Sequence, residues 1–258
     1  MSLSSIWGRF TAEWKIKVFL GGAITGAFWF GYFLLERLPA GSVTPMPELA
    51  IDRMIHFQPG AAFIYVSQFA TMPLMIWLMT SRRQLFACCR GLALLIGISF
   101  IVFYFWPTSV TRPVVLSHQY FFFDLVAGAD LPRNACPSLH AAFGVFTAGC
   151  AWEVFRGWTN RKWLVGGVWL WTVAVLASTL LIKQHVFMDL LAGSVLGSFG
   201  WWSMSWQPKR SSVRSQEGLE LRSRPALREL ECIPEDKRRS QVAGTDAGTR
   251  KGSCKTAV

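Results

Sequence analysis

WLVGGVWLWTVAVLASTLLIKQHVFMDLLAGSVLGSFGWWSMSW, residues 163–206, is the stretch whose reading decides the fold. It holds two apolar runs, Trp163 to Ile182 and Val186 to Trp206, parted only by Lys183, Gln184 and His185. A helix crosses the hydrocarbon core of a bilayer with about 20 mostly apolar residues, and each run has roughly that length. The polar break is then the short link between two spanning helices, and its ionisable residues sit at a membrane edge.

Outward from this stretch, four earlier runs meet or approach the same requirement: Ile16 to Leu35, Ala61 to Met79, Gly91 to Trp106, and Ser138 to Phe155. Some are short or broken by glycine, which is tolerated where neighbouring helices cover the backbone. The expected fold is all-α, a polytopic membrane helix bundle with about six transmembrane helices. Residues 1–206 are expected to form this six-span membrane domain. The first run lacks a signal-peptide cleavage site and is expected to be retained as an anchor.

Composition agrees. Apolar residues make up 52% of the chain and charged residues 16%, and mean hydropathy is positive, which excludes an ordinary soluble globule. The net charge of +11 would suggest nucleic acid in a soluble protein. Here the basic residues lie in the short segments between spans and in residues 207–258, so a nucleic-acid partner is not expected. That last segment is rich in Ser, Arg, Glu and Gly and too poor in large apolar residues to bury a core; it is expected to be a disordered cytoplasmic tail.

Loop charge sets orientation. Arg82, Arg83 and Arg90 follow the second run, Arg156, Arg161 and Lys162 the fourth, Lys209 and Arg210 the sixth, and Arg9, Lys15 and Lys17 precede or begin the first. By the positive-inside rule all of these are cytoplasmic, as are both termini. The loops 36–60 and 107–137 and the Lys183–Gln184 link then face the other side. The brevity of the chain and the lack of sorting motifs favour a bacterial inner membrane over a eukaryotic endomembrane, with the site expected to face the periplasm, or the lumen in the second case.

Cys88, Cys89, Cys136, Cys150, Cys232 and Cys254 show neither zinc-ligand spacing nor a CxxC, and only Cys136 falls on the outward side. No disulfide framework, metal or cofactor is expected. The segment MPELAIDRMIHF, residues 46–57, has apolar positions near helical spacing and is expected to lie along the interface, with His56 incidental. His118, Asp124, Asp130 and Asn134 read as ordinary loop polar residues, and the run Tyr120 to Phe123 as dipping into the interface.

Ionisable residues at membrane depth are costly and mark candidate sites. His185 and Asp189 are four residues apart at the start of the last run, where a helix would put them on one face. An aspartate bonded to one imidazole nitrogen fixes the tautomer and leaves the other nitrogen free as a nucleophile. His140, in PSLHAA, opens the fourth run on the same side. Pro137 suits a first helical turn, and Ser138 with the free amides of a helix start suits phosphate oxygens. Arg112 offers a planar fork of donors to the same anion.

These residues resemble the type-2 phosphatidic acid phosphatase superfamily of membrane lipid phosphatases and phosphotransferases. PSLHAA matches its PSxH motif, STLLIKQHVFMDLLAG places Ser178, His185, Asp189 and Gly193 in register with its last motif, and Arg112 with Pro113 matches the end of its first. The resemblance implies that His185 forms a phosphohistidine, Asp189 holds its imidazole, and His140 is acid and then base, without a metal. Two cations usual in the family are replaced by Phe105 and Thr179; Lys183 and Arg133 are the candidates to supply that phosphate-binding charge. The Ser-Thr and Lys-Gln-His pattern looks closer to the inositol phosphorylceramide synthase-like branch.

The function expected is a lipid phosphate phosphatase. One alternative is a head-group phosphotransferase with an alcohol acceptor such as inositol; another is a non-catalytic transporter or scaffold whose His and Asp line a polar path.

Overall fold

The computed structural model describes residues 3–38, 41–113, 120–129, 131 and 133–206. The expected tail from Gln207 onward, His118, Asp130, Cys232 and Cys254 lie outside the described residues.

The described chain is almost wholly helical: α1 (Leu3–Thr11), α2 (Trp14–Arg37), α3 (Ala50–Met54), α4 (Ala62–Val66), α5 (Gln68–Trp77), α6 (Arg82–Phe105), α7 (Phe121–Ala129), α8 (Leu139–Val154), α9 (Arg161–Leu181) and α10 (Phe187–Ser205). A two-residue parallel ladder pairs β1 (Thr44–Pro45) with β2 (Thr108–Ser109), and Arg133 bridges to Ser109. The run Ala61 to Met79 is not one straight helix. A 3-10 turn over Pro59–Ala61 leads into α4, the Ser67 hydroxyl bonds back to the Ile64 carbonyl at the break, and Pro73 lies inside α5.

Helix α8 is the centre, packed against α5, α9 and α10, while α6 packs against α2 and α10. Twelve of its 16 residues are buried, most of them small. Small residues let backbones approach where lipid gives no hydrophobic push between helices. A Cβ on Gly193 of α10 would fall inside the contact radius of the Ser138 carbonyl oxygen, and one on Gly197 would meet that of Ala142. On α8 itself, Gly149 makes room for the Trp201 indole.

Among the described residues, four helical segments are long and apolar enough to cross a membrane: Trp14–Arg37, Pro59–Trp77, Arg82–Phe105 and Arg161–Leu181. The expectation was about six, and the difference has a physical cause. Helix α8 has 16 residues, about 24 Å at 1.5 Å per residue. Enclosed by its neighbours, it has no need of a full lipid-facing length. In α10 the buried Asp189, three glycines and paired tryptophans lower the hydropathy. Outward, Phe19, Phe30, Phe105 and Leu170 are each more than 70% exposed. Large apolar side chains displayed at this density suit a bilayer and not water.

The two ends of the bundle are tied differently. At one, cations cap helix C-termini: Arg9 donates to the Leu78 and Val154 carbonyls, Lys17 to those of Arg9 and Trp77, and Arg90 to those of Ser203 and Trp206. At the other, the connecting segments interlock. Met46 N–H donates to Ser109, Gln58 N–H to Leu181, and the buried Glu36 accepts from Leu131 N–H at 2.6 Å. Helix α7, formed by the apolar FFFDLVAGA, was expected as loop; its Phe123 and Val126 pack with Tyr65 and Ile182.

Candidate functional site

The site lies at the interlocked end, where α9 stops and α8 and α10 start. Helix α9 ends in a Schellman motif: Gln184 N–H donates to the Thr179 carbonyl at 3.0 Å and Lys183 N–H to that of Leu180 at 3.2 Å. That turn requires a left-handed residue, usually glycine; here Lys183 holds it at φ 56°. Three residues later α10 begins, with Val186 as its N-cap.

His185 therefore lies outside the helix expected to carry it. It meets Asp189 all the same, Nδ1 to Oδ2 at 3.5 Å. The reason is capping and not helical phase: Asp189, in the first turn of α10, accepts from Val186 N–H through Oδ2 at 3.2 Å, which turns its carboxylate back toward the residue just before. Asp189 is fully buried and the His185 side chain is 10% exposed. The 3.5 Å separation is long for a hydrogen bond, as such pairs commonly are before substrate arrives.

His140 sits in the first turn of α8, whose N-cap Ser138 accepts from Ala141 N–H through its hydroxyl at 3.4 Å. The helix start is fixed to the other half of the site, because Ser138 N–H donates to the Asp189 carbonyl at 3.0 Å. The His140 ring stacks on Tyr65 at 3.9 Å, meets Phe69 edge-on at 5.8 Å, and lies 6.1 Å from the His185 ring, centroid to centroid. Gln68 Nε2 donates to the His140 carbonyl at 2.8 Å. The first amides of α8 have no carbonyl of their own helix to bond, and its positive dipole end is turned to this corner.

Of the expected site residues, His140, His185, Asp189 and Ser138 are thus brought together by α8 and α10. Arg112 is half-buried and near enough for its charge to bear on His140. Lys183 donates from Nζ to the Asp52 carbonyl at 2.6 Å, and Arg133 to the Glu36 carbonyl at 3.3 Å. Phe105 is 75% exposed, whereas Thr179 is wholly buried and bonds back to the Leu176 carbonyl. The structure places His56 on the surface and Asn134 in the interior, left-handed at φ 56°, its amide oxygen and nitrogen without a hydrogen-bond partner among the described residues.

Sequence reading missed Asp52. The segment expected along the interface forms only the five-residue α3, and Asp52 within it is buried, accepting from Leu49 N–H through Oδ2 and from Phe187 N–H through Oδ1. An acid among evenly spaced apolar residues was the available signal; its partner 135 positions away was not. Cys136 is buried beside the cis Cys136–Pro137 peptide, and burial together with the charge of Asp189 pushes its thiol up to about 11.

Residues 106–212 match the model of the PAP2 superfamily. No curated protein and no solved structure matches the chain.

Proposed function

We propose that the chain is a PAP2-superfamily enzyme of the membrane, a lipid phosphate phosphatase working through a phosphohistidine on His185. The observation that carries this reading is the convergence of His140, from the first turn of α8, and His185, from the loop before α10, to 6.1 Å, with Asp189 buried behind His185. The match over residues 106–212 takes in every one of these groups and supports phosphoester chemistry.

In this mechanism His185 Nε2 attacks phosphorus while Asp189 keeps the proton at Nδ1 and balances the positive charge that grows on the ring. The bond from phosphorus to the lipid alkoxide breaks, and His140 delivers its proton to the departing oxygen. Arg112 and the α8 amides stabilise the three equatorial oxygens, where fixed donors are worth most in a water-poor site. Water then gives its proton to His140 and displaces His185 from phosphorus, releasing phosphate.

Orientation follows from the two ends. The cations Arg9, Lys17, Arg82 and Arg90 gather opposite the site, which supports a non-cytoplasmic active site, with α8 and α10 completing a six-helix crossing. Head-group transfer is the second reading, favoured by the Ser178-Thr179 and Lys183-Gln184-His185 pattern. It differs only in the last step, where an alcohol replaces water.

The test is incubation of purified protein with phosphatidate, a polyprenyl diphosphate and a phospho-head-group lipid, with and without inositol and with and without chelator. Free phosphate from the wild type, undiminished by chelator, and none from His185→Ala is the expected result. A phosphoinositol product would favour transfer. Turnover that survives in both His185→Ala and His140→Ala would overturn the reading in favour of a non-catalytic role for these groups.

A further inference from the structure

The loop that presents His185 is five residues long between two helix ends, and both of its flanks are fastened to one residue from outside residues 106–212. On one side, Lys183 Nζ donates to the backbone carbonyl of Asp52 at 2.6 Å. On the other, Phe187 N–H donates to the Asp52 carboxylate at 2.8 Å. The same carboxylate closes α3 on itself through Leu49 N–H at 2.9 Å, so the strap is held in shape before it touches the site. Asp52 is 95% buried, a depth at which a carboxylate is retained only where its oxygens are bonded.

Two features of the loop need such an anchor. Lys183 occupies the left-handed turn that glycine fills at little cost, and a side chain there is strained unless surrounding contacts hold it. Phe187 N–H is one of the amides at the start of α10 that no helical carbonyl can reach, and a carboxylate there also meets the positive end of the helix. Asp189 takes the neighbouring Val186 N–H. The two acids thus divide the first amides of α10, one from within the helix and one from across the fold.

We infer that Asp52 is a positioning residue for catalysis, which fixes the aim of His185 by clamping residues 183 and 187, and that Lys183 serves this clamp and not the substrate phosphate. The inference rests on the function proposed above. Its prediction is a loss in kcat without a loss in binding, since a nucleophile displaced by a fraction of an ångström still lets the lipid bind.

The experiment compares wild type with Asp52→Ala, Asp52→Asn and Lys183→Gly in detergent micelles. It measures kcat, KM, inhibition by inorganic phosphate, and amide exchange over residues 183–190. For Asp52→Ala the expected result is a fall in kcat of about tenfold or more, with KM within about threefold. Asp52→Asn, which keeps an oxygen for Phe187 N–H, is expected to recover most of it. Lys183→Gly, which leaves the turn unstrained, is expected to lower kcat with phosphate inhibition unchanged. In Asp52→Ala, exchange should quicken at 183–190 and not in α6.

Weakened phosphate inhibition or a raised KM at unchanged kcat would overturn the inference, as would unaltered kcat in Asp52→Ala. Should wild type turn over no phospholipid, the proposed function fails by itself, and amide exchange still decides the clamp: unchanged protection at 183–190 in Asp52→Ala removes it.

Discussion

At the cation-capped end of the bundle, charged side chains finish helices; at the interlocked end they begin them, and the difference separates structure from chemistry. Arg9, Lys17 and Arg90 each spend their donors on carbonyls at helix C-termini, where a positive charge meets both the dipole and the orphan acceptors. Asp52 and Asp189 do the mirror-image work on the amides of α10. Yet around the second set polar atoms stay without a hydrogen bond among the described residues: His185 Nδ1, Asp189 Oδ1 and both amide atoms of Asn134. Arg161 Nε and Trp158 Nε1 are similar orphans at the first end, but both are donors. A buried acid whose second oxygen is unbonded next to an imidazole is costly, and the role proposed for Asp189 beside His185 gives that cost a reason.

The comparison breaks most sharply at His185 and Asp189. Replacing His185 with Ala is expected to abolish turnover, by roughly 1,000-fold or more, and Asp189→Asn by somewhat less, since the imidazole loses its tautomer. Both are measured as phosphate release from a lipid phosphate. Arg112→Lys should lower kcat/KM by roughly 100-fold, because an ammonium cannot reproduce the forked donation. A fold-level break comes next: Gly193→Ala forces a methyl against the Ser138 carbonyl and should destabilise the bundle by about 1–3 kcal/mol, read from thermal unfolding in detergent.

At the cation-capped end, Arg90→Met should cost about 1 kcal/mol of stability and leave kcat per folded molecule unchanged. A lost kcat would erase the distinction between the two ends. The smallest effect concerns Cys136. With its thiol pushed up to about 11, it stays protonated from neutral pH until pH approaches that value, so alkylation by iodoacetamide should be slow at pH 8 and quicken only in strong alkali. Mass spectrometry of the peptide checks it.

Much of this was legible because lipid imposes a simple rule on long helices. The runs that became α2, α6 and α9 stand out by length and apolarity alone. Where burial inside the bundle replaces lipid contact, the rule weakens: α8 reads as short because its small residues face protein on all sides. Helix α7 was hidden, since nine mostly apolar residues are too few for a span and too many for an ordinary loop. The pairing of His185 with Asp189 was legible from a spacing of four, though a helix does not cause it; a capping carboxylate does. Asp52 was illegible as a contact because nothing local encodes a partner 135 residues away.

The crossing of α8 and α10 at Ser138 and Gly193 carries one more consequence. A carbonyl seated where a side chain would otherwise stand acts as a dowel between two rods: neither helix can slide along or roll against the other without a collision. The gauge between the two imidazoles is therefore set by a joint that contains no reactive atom. In the proposed mechanism that joint holds the proton donor, His140, at a fixed distance from the nucleophile, His185.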